Sequence, residues 1–401
     1  MRNNVGVKYI KPTSTNKYHY FFFLPSLSLS PSLSPSLSPP LPLLPLSLSS
    51  PSPSPPPQVI IHYSLFIMES LNSFLPLVWF GILALFLFMY VMLDGFDLGV
   101  GILSLTSSSE ERRGILMTSL SNVWDANATW LILMGGSLFG AFPLAYATIL
   151  SSLYIPIMIM VIGLVFRTVS FEFRENSENK VFWNYAFGIG SFVATLGQGF
   201  ALAGVIEGIK VDVSGHFIGT TWDWLNWRSV VIALTLIQGY VLIGSCYLIM
   251  KTSGKLQETH FKTAKLATIT TFLGAIAITT VLPIFSQFAR ERLFQPPFIY
   301  VFSIIPILGI LLVALLLISL NKKQEKLPFI LTILIFLLTF LGLALVVFPY
   351  IIPPSITIYQ AAASPSSLVF MLIFIGFLIP IMLFYNIYNY FVFRGKITTL
   401  N

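Results

Sequence analysis

Several ionisable or strongly polar side chains in this chain stand inside or against apolar sequence. An ionisable group at bilayer depth costs about 2.5–3.5 kcal/mol on insertion scales and asks for a partner, water or a function. Asp94 and Asp97, in Asp94-Gly95-Phe96-Asp97-Leu98-Gly99, are three residues apart, so a helix carries both carboxylates on one face, and the glycines let a neighbouring helix approach it. They read as a functional acid pair or as acids at a wet helix end. Asp125 lies in Trp124-Asp125-Ala126-Asn127-Ala128-Thr129-Trp130 at the start of another apolar run. It reads as a helix N-cap or as a relay acid, flanked by two indoles and followed by the Asn127 amide, that takes protons at the surface and passes them inward. Arg167, in Arg167-Thr168-Val169-Ser170-Phe171-Glu172-Phe173-Arg174, is a counter-charge for Asp94 or Asp97, or snorkels to the surface. Gln198 sits amid Gly188, Gly190, Gly197, Gly199 and Gly204, where it makes a cross-helix hydrogen bond or a polar step on a path.

The elements that must hold these groups follow from composition. Of 401 residues, 56% are hydrophobic and 9% charged, and mean hydropathy is +0.85. Soluble domains carry about 25% charged residues, so a water-soluble globule is excluded. Apolar segments over 74–104, 122–149, 153–170, 182–208, 228–250, 266–288, 298–320, 328–351 and 366–393 predict an all-α, polytopic transmembrane bundle of about nine spanning helices. Lys and Arg between them are asymmetric: 13 fall on one side, among them Arg112, Arg174, Lys262 and Lys322, against four on the other, Lys210, Arg228, Arg290 and Arg292. The basic side is thus expected to be cytoplasmic, with the start of 68–401 outside and the C-terminus inside. Trp222, Trp224 and Trp227 are expected as interface anchors and Glu207 at the outer surface.

Residues 1–67 stand apart. Between Pro12 and Pro57 lie 13 of the 26 prolines, threaded through Ser-Leu alternation. Proline at that density forbids a helix, and no compact apolar core of a secretory leader is present. This Pro/Ser-rich leader is expected to be disordered, or upstream sequence read through in error, with Met68 opening the transmembrane domain of 68–401. The net charge of +7 serves helix orientation and implies no nucleic-acid partner. Cys246, the single cysteine, is a packing residue.

Of four histidines, His19 and His62 fall in the leader, while His216 and His260 are placed in loops. With no transmembrane histidine, the chain by itself makes a poor haem, copper or zinc site, and no metal ligand set is expected. It holds no P-loop, dinucleotide fingerprint or Ser-His-Asp arrangement. A proton path, a transporter or an auxiliary subunit of a catalytic assembly fits what is left.

At these same residues the sequence resembles subunit II of the cytochrome bd quinol oxidases of bacteria. The resemblance runs from Met68 to the end, through Leu93 to Gly101, Val123 to Leu131, Gly135-Gly136, Ala141-Phe142-Pro143, Phe171-Glu172-Phe173-Arg174, Phe348-Pro349-Tyr350, Pro353-Pro354-Ser355 and Phe393-Arg394-Gly395-Lys396. It implies a haem-free, nine-helix subunit of the bacterial inner membrane, paired as a heterodimer with a subunit I that holds haems b and d and the quinol site, with a possible small accessory subunit. The complex oxidises quinol near the outer face, reduces dioxygen to water and draws protons from the cytoplasm, a quinol:oxygen oxidoreductase in which this chain is not catalytic alone. By motif position, Asp125 is the acid where protons are taken up beside subunit I, with Trp124 packed next to it; Asp97 and Asp94 form the polar cluster, and Arg167 answers their charge. Two departures stand out: many relatives carry Glu or Gln where Ala128 stands and Gly where Thr168 stands, which weakens a second acid beside Asp125. The alternative is a proton-coupled secondary transporter, whose acids would line a solute site.

Overall fold

The computed structural model describes residues 57–107, 109–296 and 298–397, with side chains from Asn72 onward. Residues 64–399 form one compact unit, which the account below concerns. The leader up to residue 56 lies outside the described residues, whereas helix α1 (Pro57–Leu105) already includes its last part.

Among the described residues, eight helices are long and apolar enough to cross a membrane, and a bent pair makes a possible ninth. The membrane-length part of α1 is Asn72–Leu105. The short α2 (Glu110–Thr118) opens on Ser109, whose side chain accepts from the Arg112 amide. The second apolar run, expected as one helix over 122–149, is two: α3 (Trp124–Ala141) and α4 (Pro143–Ser152), whose axes bend by 118°. Pro143 has no amide proton to continue the ladder and suits the first position of a new helix, so the chain breaks at Phe142.

Next come α5 (Tyr154–Asn176), α6 (Lys180–Glu207) and α7 (Trp227–Lys251), the last opened by a capping box between Asn226 and Ser229. Helix α8 (Gly254–Phe285) starts well before the expected 266, because Lys255, Leu256, Gln257 and Glu258 are good helix formers although too polar to read as a span. His260 therefore sits on a helix and is buried, not in a loop. The short α9 (Gln287–Phe294), α10 (Phe298–Asn321) and α11 (Leu327–Val347) follow. The expected last turn of α11 is instead an antiparallel hairpin, β1 (Tyr350–Ile352) and β2 (Ile356–Thr357), leading through α12 (Ile358–Ala361) to α13 (Pro365–Val392).

Backbones approach closely where glycine allows it. A Cβ on Gly99 would lie 1.8 Å from the Tyr240 carbonyl oxygen, so α1 crosses α7 main chain to main chain. Helices α5 and α6 meet likewise, with a Cβ on Gly190 falling 2.7 Å from the Gly163 oxygen. One apolar core lies toward the basic loops, around Phe96, Leu116, Tyr247 and Leu320. A second, around Trp79, Phe142, Trp224 and Ile352, closes the opposite end.

Candidate functional site

The site is built on α1, whose neighbours supply one polar group each. Asp94 and Asp97 are both fully buried. At 1.5 Å per residue they lie roughly 17 and 12 Å along the helix from Leu105, so the wet-end reading fails. The helix face they share, also carrying Tyr90 one turn earlier, is covered by α3, α5, α6, α7 and α13, each of which contributes to the contacts below.

Asp94 meets Arg167 of α5, Oδ1 to Nη2, at 2.7 Å, with both side chains essentially inaccessible. This settles the counter-charge on Asp94 rather than Asp97, and Arg167 does not snorkel. Burial without a partner charge would cost several kcal/mol for either ion, so the pair holds both in place. Oδ1 of Asp97, by contrast, is buried with no hydrogen-bond partner among the described residues.

Two polar arms leave this centre. In the first, Asn127 of α3 donates Nδ2–H to Asp97 Oδ2 at 2.9 Å and to the Leu93 carbonyl at 3.3 Å, while its Oδ1 accepts from the Tyr390 hydroxyl of α13 at 2.8 Å. Asn127 thus orients one carboxylate oxygen of Asp97 and leaves the other open to take a proton. Near this arm Trp130 Nε1 and Asn386 Oδ1 are also buried without a partner, one helical turn from Asn127 and Tyr390 respectively. In the second arm, Gln198 of α6 donates Nε2–H to the Tyr90 hydroxyl and accepts from the Tyr240 hydroxyl of α7 at 2.9 Å. Gln198 is thus a cross-helix bond and a member of a chain at once.

Asp125 is not joined to this network. It is exposed in the first turn of α3, where Val123 holds the cap position and no side chain caps the helix, and its carboxylate has no bonded partner among the described residues. The N-cap reading is therefore wrong. Lying two residues from Asn127, it points to a different side of the helix. Trp124 stacks on Phe171 of α5 at 5.1 Å and 1°, fixing the start of α3 against that helix.

Three members of the network, Tyr90, Tyr240 and Tyr390, escaped the sequence reading because a tyrosine in an apolar run looks like packing. The spacing of Tyr90, four residues before Asp94, was the available signal. At the other end of the spans, Glu207 is partly buried and takes two hydrogen bonds from Arg228, at 2.9 and 3.1 Å. Trp222 and Trp227 are exposed as expected of anchors, but Trp224 is buried against Phe200 and donates to the Thr221 carbonyl.

His216 is exposed in a loop, and His260 has neither ring nitrogen bonded among the described residues and shares a packed face of α8 with Ala264, Ala267 and Thr268. No group of three or more His, Cys, Asp or Glu forms a metal cluster among the described residues.

Comparison with known proteins bears on what such an arrangement serves. The sequence profile of the family described as cytochrome bd terminal oxidase subunit II matches residues 75–393. The chain is 27% identical over 365 residues to cytochrome bd-I ubiquinol oxidase subunit 2 of Escherichia coli (strain K12), covering 81% of this chain and 95% of that protein. It is 26% identical over 343 residues to cytochrome bd ubiquinol oxidase subunit 2 of Bacillus subtilis (strain 168), covering 82% and 98%. In fold it is similar to a chain of the bd oxidase from Geobacillus thermodenitrificans, with a TM-score of 0.62 at 18% identity, over 80% of this chain and 99% of that one.

Proposed function

Because the chain belongs to the cytochrome bd terminal oxidase subunit II family, we propose that it is the haem-free membrane subunit of a quinol-oxidising, dioxygen-reducing complex and that its buried acids carry part of the proton supply. Haems b and d and the quinol site then belong to subunit I. The observation behind this reading is the carboxylate centre of Asp94, Asp97 and Arg167, extended through Asn127 to Tyr390 and through Gln198 to two tyrosines, at a depth where polar groups are costly to hold. A buried oxygen without a protein partner, as Asp97 Oδ1 is among the described residues, is ordinarily met by water, and such a water would join the two arms into one proton-conducting chain.

The basic ends of the spans face the cytoplasm in this reading, and the complex lies in the bacterial inner membrane. Asp125 takes up protons at the seam with subunit I. The outward face of α3 supports that docking: Ile132 and Phe139 are exposed there, and a Cβ on Gly135 or Gly136 would meet nothing within 4 Å, which leaves a notch a partner helix can enter.

The test is quinol-driven oxygen uptake by the purified complex. Asp97→Asn is expected to lower it by about 10²-fold, the low end of what a positioned proton-transfer group contributes, with the haem spectrum of the assembly unchanged. Asp125→Asn is expected to slow it less and to keep the complex together. Unaltered uptake in both variants would remove the proton role, and solute uptake by the isolated chain would replace the reading with the transporter.

A further inference from the structure

The geometry points to a binding site for an anionic phospholipid in the seam between α8 and α10, its phosphate held by Lys262 and Lys322. This inference is independent of the proton path and of which leaflet the basic ends occupy.

The charges at that end of the spans are segregated. From α2 to the start of α3, and from the end of α5 to the start of α6, the chain carries six acids (Glu110, Glu111, Asp125, Glu172, Glu175, Glu178) against four bases. The ends of α7, α8, α10, α11 and α13 carry nine Lys and Arg against only Glu258 and Glu325. Both of these acids are already taken: Lys323 Nζ lies 3.0 Å from Glu258, and Lys396 Nζ lies 2.5 Å from Glu325. Lys255, Lys262, Lys322 and Lys326 have no ion pair among the described residues, and all four are exposed. An excess of fixed positive charge with its own counter-ions used up calls for anions from outside.

Position says which anion. The Lys323–Glu258 pair ties the end of α10 to the start of α8, and Lys262 stands one turn beyond Glu258 on that helix. Along α8 the face of Lys262 continues as exposed Leu266, Leu273 and Ile276; along α10 the face of Lys322 runs back through exposed Ile318, Leu315 and Leu311. Each stripe keeps the three- or four-residue spacing of one helix face, or a whole two turns of it. Two apolar tracks on helices tied together by the Lys323–Glu258 pair, each ending in a lysine without a salt bridge among the described residues, match a lipid with two acyl chains and a negatively charged head. The stripes are Leu and Ile, without the small residues that let a second helix approach, which favours flexible acyl chains over a protein partner.

The probe is a photoactivatable phosphatidylglycerol, with the phosphatidylcholine analogue beside it, added to the intact oxidase complex in nanodiscs, and the labelled peptides mapped by mass spectrometry. Phosphatidylglycerol is expected to label 262–276 and 311–322 in preference to phosphatidylcholine. Lys262→Gln with Lys322→Gln should cut that labelling by about fivefold for each lysine, the factor that corresponds to about 1 kcal/mol per basic residue at an anionic surface. Lys262→Arg with Lys322→Arg should retain it. If the glutamine pair fails to assemble, raising the salt on the unaltered complex serves instead, and labelling must then fall. Equal labelling by both lipids, or labelling indifferent to both charge and salt, overturns the site. So does capture of a co-purifying polypeptide at these peptides.

Discussion

Two regions at the basic end of the spans handle charge in opposite ways. Around α1, α3, α5 and α6, ionisable groups are drawn inside the bundle: Asp94, Asp97 and Arg167 are fully buried, and the segments at the basic end of α3, α5 and α6 are slightly acidic. Around α8, α10 and α11 the charges stay at the surface, almost all positive, and the buried faces there are apolar apart from a few small or singly polar side chains such as Ser319 and His260. Inside, a charge is affordable only with its partner in place; outside, water and salt do most of the work and any single pair contributes little. The first region therefore fits the proton role proposed above, and the second fits the lipid site.

The sharpest way to break this contrast is Arg167→Met. It leaves Asp94 buried without its counter-charge and is expected to destabilise by about 3–5 kcal/mol, as removal of one member of a buried ion pair does. Yield and thermal inactivation of the assembled complex measure it, and adding Asp94→Leu should recover part of the loss. Next is Gly99→Ala, at the crossing of α1 and α7. Its methyl would collide with the Tyr240 carbonyl, so a melting temperature lowered by the equivalent of about 1–3 kcal/mol is expected, the usual cost of overpacking.

Smaller still is Tyr390→Phe, which keeps the ring and removes the hydroxyl that donates to Asn127. One hydrogen bond contributes about 1 kcal/mol, so oxygen uptake should slow severalfold and its pH profile should move, whereas a mere packing role would leave the profile in place.

The smallest effect belongs to the surface region. Lys396 and Gln257 hydrogen-bond Glu325 and hold its carboxyl below its ordinary value. A depressed acid stabilises above its unfolded value and loses that contribution as pH falls through the folded one. Protection of the 393–397 amides from exchange, relative to their intrinsic rates, should therefore fall only at acidic pH and be flat near neutrality; the Ile397 amide there donates to the Lys251 carbonyl.

Reading the sequence reached the acids, the arginine and the glutamine because such residues are anomalies in an apolar run and lipid penalises each of them. It stopped at Tyr90, Tyr240 and Tyr390 because a phenol is at home both in a core and in a hydrogen-bonded chain, and only its neighbours decide which. Asp125 and Asn127 show the same limit. They are two residues apart and equally conspicuous, yet one is exposed and the other completes the buried site. The break at Pro143 was legible in principle, since the missing amide proton is a local fact, while the early start of α8 was hidden by polar residues that propensity alone makes helical.

Composition and spacing by themselves determined that this protein is a membrane-spanning helical bundle, that Asp94 and Asp97 share a face, and that the glycines of α6 allow a neighbour to pack closely. These follow from hydrocarbon thickness, helical period and side-chain size, which act over a few residues at a time. Which carboxylate Arg167 answers and which tyrosines extend the polar chain were decided only by the tertiary structure. Those outcomes depend on helices far apart in sequence meeting at a particular depth and rotation, and no local period encodes that.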